Sequence, residues 1–169
     1  VIPSASLSIR ARADILDLCS KAYEENFAPY LDLLAGAVHV LLRDQTQLVA
    51  HAAWIERELV AGGTPLKTAF IEAVAVSPAC QRQGFGSKIM SALPPLLSGF
   101  DLAALSPSEE AFYRRLGWET WEGPLSYKLG SKQIDTPDEC VMIYRLPQTP
   151  RDLAVTSGLM ANWREGEIW

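Results

Sequence analysis

The sequence predicts a mixed α/β domain whose first half is largely antiparallel and whose middle is one parallel strand–helix–strand unit. Three observations carry that prediction. From Ala11 to Asn26, Ile15, Leu18, Cys19 and Ala22 recur at helical spacing between Asp14, Asp17, Lys21 and Glu25, which describes an amphipathic helix lying on a core. The apolar runs Val38 to Leu42, Leu48 to Val60 and Leu66 to Val76 are separated only by the polar stretch 44–47 and the glycine-containing stretch 61–64, as in strands joined by hairpins. The third run then passes through the Gly- and Pro-rich stretch 78–86 into a helical pattern at Ser87 to Leu97 and a short apolar strand at Asp101 to Leu105.

The remaining elements follow in order. After Pro29, Tyr30 to Gly36 is a short helix or a loop. Leu66 to Val76 is apolar apart from Lys67, Thr68 and Glu72, and a carboxylate is unexpected in a strand of that kind. Ile89, Met90, Leu93 and Leu97 mark the core face of the next helix, which Pro94-Pro95 should kink or restart. Pro107 to Leu116 is a further helix, with Ser106 or Ser108 as cap and Gly117 as stop. Strands are expected around Glu119 to Trp121 and over Cys140 to Leu146. The tail from Pro147 to Trp169 opens on Pro147 and Pro150 and becomes partly apolar over Ala154 to Trp163. With no internal repeat, low-complexity tract or linker, residues 1–169 are expected to form a single domain.

Composition narrows the function. Of 169 residues, 49% are hydrophobic and 21% charged, the content of one globular domain with a sizeable core. Fifteen Lys and Arg against twenty Asp and Glu leave a formal charge of −5. A nucleic-acid binder needs a basic footprint, so no nucleic-acid partner is expected. The acidity suits a cationic or neutral partner, and equally a solubilising surface. Cys19, Cys80 and Cys140 lie far apart, without CxxC or Cys/His spacing, and His39 and His51 are the only histidines. No metal site is expected, and the cysteine usage suits a reducing cytoplasm. No apolar run has membrane-spanning length, and residues 1–9 lack the pattern of a signal peptide, while a start at Val1 suits a trimmed chain.

The stretch Glu72 to Ser87 carries the chemistry. A buried strand runs into a turn that opens a helix, and Gly84 and Gly86 let backbone N–H groups approach an anion at the helix N-terminus, with Arg82 adding a charge-assisted hydrogen bond. That is a pyrophosphate cradle, or else a structural turn with two convenient glycines. The spacing fits neither the GxxxxGK[ST] loop of ATPases nor the GxGxxG of dinucleotide folds.

Gln81-Arg82-Gln83-Gly84-Phe85-Gly86 resembles the Q/R-x-x-G-x-G/A acetyl-CoA loop of the GNAT acetyltransferase superfamily, and the flanking strand and helix stand in that superfamily's order. A narrower resemblance lies in Phe70 to Val76, Phe112 to Trp118, Gly123-Pro124, Thr136 to Glu139 and Trp163-Arg164-Glu165-Gly166-Glu167-Ile168-Trp169. Together these look like the aminoglycoside 2′-N-acetyltransferases, over nearly the whole chain after residue 20. The resemblance implies the GNAT acyl-CoA N-acyltransferase fold, acetyl-CoA as cosubstrate, an aminoglycoside as acceptor, antibiotic resistance as the consequence, and a homodimer. It places the coenzyme A pyrophosphate on Gln81, Arg82, Gln83, Gly84, Phe85, Gly86 and Ser87. The pantetheine arm pairs with Val74, Ala75 and Val76 like an added strand, and an N–H near Val74 polarises the thioester carbonyl.

An aminoglycoside amine is mostly protonated at neutral pH and must lose a proton before attacking a thioester. The resemblance makes Glu72 the base, acting through a water, where the residue alone could equally be a salt-bridged strand carboxylate. It makes Tyr113 the acid that protonates the departing thiolate, where an unaligned tyrosine would be a core aromatic. Asp138 and Glu139 match the family's acidic substrate wall, Glu167 an acid of the tail and Ser106 a substrate-contacting serine, and Ala73 is counted with the substrate-binding residues. The carboxylate of Trp169 faces the substrate and is counted with the catalytic groups. Trp54 and Trp121 either stack on a sugar or pack inside the sheet, and His51 is structural.

Two departures from the family matter. Glu25-Asn26-Phe27 stands where typical members have Gly-Asp-Phe, in a loop one residue shorter whose nearest acid is Asp32. Asn162 and Glu167 replace aspartates of the tail. Displaced carboxylates weaken binding of substrates rich in amines, so both a kanamycin- or gentamicin-like acceptor and one with fewer amines, such as kasugamycin, remain open. So do another small amine, a protein amine, and a non-catalytic acyl-CoA-binding module.

Overall fold

A computed structural model describes residues 1–169, which separate into two compact units. The first comprises residues 1–55 and 71–93, the second residues 56–70 and 94–169. Two long strands, β3 (Gln47–Ala61) and β4 (Thr64–Val76), contribute to both.

In the first unit, β1 (Ile2–Pro3) pairs antiparallel with β2 (Val38–Asp44), and β2 pairs antiparallel with β3, with Val38 opposite Trp54 and Leu41 opposite His51. Helix α1 (Ile9–Tyr23) starts on Ser8, whose hydroxyl accepts from the Ala11 N–H at 3.1 Å, and stops at Glu24, which is left-handed at φ 58°. Ser8 lies outside the predicted helix because its capping bond is invisible to apolar periodicity. The helix buries Ala11, Ile15, Leu18 and Cys19, and with α2 (Ala28–Leu33) it closes a cluster in which Ile15, Leu18 and Cys19 pack with Phe27, Leu31, Leu48 and Ala75. Helix α3 (Phe85–Ser91) packs against β2.

In the second unit, β4 pairs in parallel with β5 (Leu102–Leu105), Thr68 opposite Leu102, so the predicted strand–helix–strand unit is present. Strand β5 pairs with β9 (Met142–Arg145), and β9 with β6 (Glu119–Thr120), both antiparallel. On the other side lie a hairpin of β7 (Leu125–Leu129) and β8 (Lys132–Asp135), and β10 (Leu159–Asn162). The order of neighbours is β6-β9-β5-β4-β3-β10-β7-β8. Strand β10 is antiparallel to β3 and parallel to β7. Phe70, Leu102, Leu105, Met142 and Ile143 are fully buried in this unit.

Two expectations need correction. The helix expected over Pro107 to Leu116 is the short α4 (Glu110–Arg114), entered through an extended Glu109 with no side-chain cap. Ser106 and Ser108 are exposed and lie too far upstream to cap it. The Glu110 carboxylate instead takes Arg114 at 2.7 Å and the Thr120 hydroxyl at 2.9 Å. The helix expected over Ser87 to Leu97 ends at Ser91, and Pro94-Pro95 begins a separate 3-10 turn, because proline lacks the N–H needed to continue. Gly117 does stop α4, at φ +88°.

Candidate active site

The predicted cofactor segment of the first unit is built on a distortion in β4. Ala73 is left-handed at φ 51° inside the strand, a conformation that costs a residue with a Cβ about 1 kcal/mol and marks a bulge-like interruption of the pleat. Glu72, Ala73 and Val74 on either side are half-buried, whereas the preceding Ile71 is buried. The interruption therefore falls where the one carboxylate of an otherwise apolar strand stands. It is held from two sides: Nδ1 of His51 lies 2.7 Å from the Ala73 carbonyl, and the Tyr23 hydroxyl donates to the Val74 carbonyl at 3.0 Å.

Beyond β4, the N–H of Ser77 donates to Val49 at 2.9 Å and Pro78 to Cys80 form a 3-10 turn. The chain then crosses Arg82 and Gly84, left-handed at φ 59° and 85°, before α3 begins with Lys88 N–H on the Gly84 carbonyl. A Cβ at Gly84 would meet no heavy atom within 4 Å, so glycine is required by its backbone angle and the space beside it is open. Gln81, Arg82 and Gln83 are exposed, and Phe85, Gly86 and Ser87 are partly so. The first-turn N–H groups of Phe85, Gly86 and Ser87 have no acceptor within the helix. Donors, a guanidinium and open space thus coincide, which fits an anionic group such as a pyrophosphate. Asn26 accepts from the Ala28 N–H at 3.2 Å, and the Asp32 carboxylate forms an ion pair with Arg12; both are exposed.

In the second unit, Ser106 is exposed just after β5, and Tyr113 is buried on α4, edge-on to the rings of Phe112 at 5.0 Å and Trp118 at 6.1 Å. Burial pushes the Tyr113 phenol up to about 12, so it carries its proton at neutral pH. Asp138 and Glu139 are exposed on a turn closed by the Glu139 N–H on the Thr136 carbonyl at 3.2 Å. Thr136 also receives the indole N–H of the buried Trp169 at 2.9 Å. The acidic turn and the tail, predicted separately, are thereby tied together through one hydroxyl. Glu167 is exposed, and its backbone carbonyl accepts from Arg164. Trp54 and Trp121 are buried, Trp121 donating to the Ser157 carbonyl at 2.8 Å, so both pack rather than line an open surface.

Sequence reasoning missed Arg57. From β3 its guanidinium donates to the carbonyls of Ile168 and Asn162 and lies 4.8 Å over the Phe70 ring. In Glu56-Arg57-Glu58 it reads as one charge of an alternating solvated face, and nothing local marks it as the clamp of a tail more than a hundred residues away. Removing it should loosen that tail. An Arg57→Met protein is expected to lose the peptide after Arg164 to trypsin about thirty times faster, the loss of two charge-assisted hydrogen bonds at a surface, each contributing about 1 kcal/mol; mass spectrometry over a digestion time course checks it.

Residues 10–121 match the acetyltransferase (GNAT) domain family. The chain belongs to the GNAT acetyltransferases. Among curated GNAT relatives, an aminoglycoside 2′-N-acetyltransferase of Mycolicibacterium fortuitum is 28% identical over 176 residues, covering 100% of this chain and 90% of its own. Among solved GNAT structures, Escherichia coli YhbS in complex with CoA superposes with a TM-score of 0.66 at 15% identity, over 92% of this chain and 86% of that one. A Kribbella flavida GCN5-related N-acetyltransferase superposes with a TM-score of 0.62 at 22% identity, over 70% of this chain; the chain spans 32% of that larger protein. These superpositions establish the GNAT fold.

Proposed function

We propose that this GNAT acetyltransferase transfers the acetyl group of acetyl-CoA to the 2′-amino group of an aminoglycoside, acting as a single functional domain. The observation that carries the reading is the end-to-end likeness to the M. fortuitum aminoglycoside 2′-N-acetyltransferase. The paired carboxylates on the turn bonded to Trp169 support it, since a cationic sugar is held by charge-assisted hydrogen bonds.

Bound acetyl-CoA supplies an activated acyl group. In this reading the N–H groups at the start of α3 and Arg82 hold its pyrophosphate, and Val74 to Val76 pair with its pantetheine arm. Glu72, at the interruption of β4, takes the proton of the attacking amine through a water. The Val74 N–H donates to the thioester oxygen as negative charge develops there. Tyr113, kept protonated by burial, gives its proton to the leaving thiolate. Asp138, Glu139, Glu167, Ser106 and Trp169 bind the acceptor, with Asn26, Asp32 and Ala73 as further contacts. Because Asn26 stands in place of an acid and Asp32 is engaged by Arg12, acceptors with few amines, of the kasugamycin type, are favoured over kanamycin and gentamicin.

Release of the coenzyme A thiol from acetyl-CoA, followed with kasugamycin, kanamycin, gentamicin, spermidine and a lysine peptide, tests this. Turnover of at least one aminoglycoside with the acetyl group on its 2′ nitrogen is expected. Turnover confined to spermidine or the peptide would replace the acceptor, and cofactor binding with no turnover would replace the enzyme with a binding module.

A further inference from the structure

The distorted segment of β4 is attached to the only two histidines of the chain. Ser4 Oγ lies 2.7 Å from Nε2 of His39, Nδ1 of His39 lies 2.9 Å from Nε2 of His51, and Nδ1 of His51 lies 2.7 Å from the Ala73 carbonyl. Both rings are inaccessible to solvent. No other side chain contacts them in this way except Cys19, whose sulfur is 3.7 Å from Nδ1 of His51. The Ser4 hydroxyl also has the Leu34 carbonyl as an acceptor at 2.7 Å, an oxygen that accepts from the Ala37 N–H at 2.9 Å with its other lone pair.

Counting hydrogens fixes the Ala73 end of this chain. A carbonyl oxygen can only accept, so Nδ1 of His51 must carry a hydrogen. A neutral His51 then has a bare Nε2, which must accept from Nδ1–H of His39. A neutral His39 in turn has a bare Nε2 facing Ser4, whose one hydroxyl hydrogen reaches either that nitrogen or the Leu34 carbonyl. The Ala73 carbonyl thereby sets the tautomer of both neutral rings, and Ser4 anchors the far end between His39 and the Leu34 carbonyl. Both rings are expected to be neutral, because burial lowers the histidine pKa in each case, that of His51 to about 4.

We propose that Ser4, His39 and His51 form a positioning relay for acetyl transfer: the relay grips the Ala73 carbonyl and so fixes the left-handed residue that orients the Glu72 carboxylate on one side and the Val74 N–H on the other. The proposal rests on the reading of Glu72 and Val74 given above. None of the three relay residues touches substrate. Their effect is through the backbone of β4, where a displacement of a fraction of an ångström changes the geometry of attack.

Two measurements test it. A long-range proton–nitrogen correlation spectrum of the imidazoles at neutral pH is expected to show both rings neutral and protonated on Nδ1, the form that is the minor one for histidine in water. Protonation of His51 on Nε2, or a charged ring at neutral pH, overturns the relay whatever the enzyme turns over. In kinetics, His51→Leu is expected to lower kcat by about 10- to 100-fold with an unchanged KM for acetyl-CoA, and to move the amide resonances of Ala73 and Val74. His51→Asn, whose amide can still donate to Ala73, is expected to recover most of that loss. Equal rates in the two variants at equal thermal stability, or a loss confined to KM, overturns the positioning role. Should His51→Leu fail to fold, Ser4→Ala, which leaves the Ala73 carbonyl in place, must keep both rings protonated on Nδ1 while moving the Nε2 resonance of His39, and a His39 that turns to the Nε2 tautomer overturns the relay. If the wild type acetylates no amine, the catalytic reading falls, while the imidazole spectrum still decides whether the relay is built as stated.

Discussion

Glu72→Gln is expected to lower kcat by about 10²- to 10⁴-fold, the range for loss of a positioned general base, while KM for acetyl-CoA stays within about twofold. Glutamine keeps the size and hydrogen-bonding reach of glutamate and cannot take a proton, so the half-buried strand position should keep its packing. The pH profile separates this from simple damage. With glutamate as the base, the wild-type rate falls on the acidic side as the base is lost, and in the variant that limb should give way to one set by the acceptor amine alone. A higher pH should restore part of the variant's rate, because more of the amine is then already neutral. Steady-state kinetics over a pH series reads both effects. A variant that kept the wild-type rate and its acidic limb would remove Glu72 from the reaction.

The second large effect concerns stability in acid. Burial, and the charge of His39, hold His51 at about 4 in the folded protein against an ordinary 6.5, although the hydrogen bond to Ala73 opposes the shift. Because the folded pKa is the lower one, the unfolded chain binds more protons between those values. The stability this contributes is therefore complete above about pH 6.5 and is lost as the pH falls toward about 4. At about 1.4 kcal/mol per unit, the loss at the acid end approaches about 3 kcal/mol, a large part of what an ordinary domain possesses. His39 is lowered too, by burial first and then by the charge of Arg12, and adds to the loss in the same direction. Urea unfolding at a series of pH values should show the decline, and His51→Asn should flatten most of it. A wild-type stability independent of pH from 7 to 4 would mean that neither ring resists protonation.

Local patterns were sufficient wherever a segment's own residues decide its conformation. The apolar runs of β2, β3 and β4, the glycine-rich turn at Gly84, the break at Pro94-Pro95 and the stop at Gly117 were all legible because each follows from periodicity or from one residue's backbone limits. The hairpin of β7 and β8 was not. Ser126-Tyr127-Lys128-Leu129 and Lys132-Gln133-Ile134-Asp135 have little apolar alternation, and β7 is supported by β10, a strand more than thirty residues later. The helix after Pro107 was drawn too long because Ser106 and Ser108 look like caps until the extended Glu109 is seen to precede the first turn. At the candidate site, the residue types of the acetyl-CoA loop were readable. The left-handed Ala73 was not, since alanine carries no mark of such a backbone. The relay beneath it depends on strand register: His39 stands opposite Ala53 and Leu41 opposite His51, so the two histidines are diagonal neighbours. Two histidines twelve residues apart on successive predicted strands were the available hint. Register, on which their contact depends, is a property of the paired strands and not of either alone.

The place of β10 has a consequence for how the protein is made. Strand β10 lies between β3 and β7, so the 125–135 hairpin joins the remainder of the sheet only through residues 159–162. A nascent chain on the ribosome has produced every other strand before it produces this one. During that interval the β3 edge at Leu59 to Ala61 and the β7 edge at Leu125 to Lys128 have no partner, and unpaired edges of this kind are templates for misassociation. Assembly of the sheet therefore closes with a keystone insertion, and until it occurs both of these edges stay open to wrong partners.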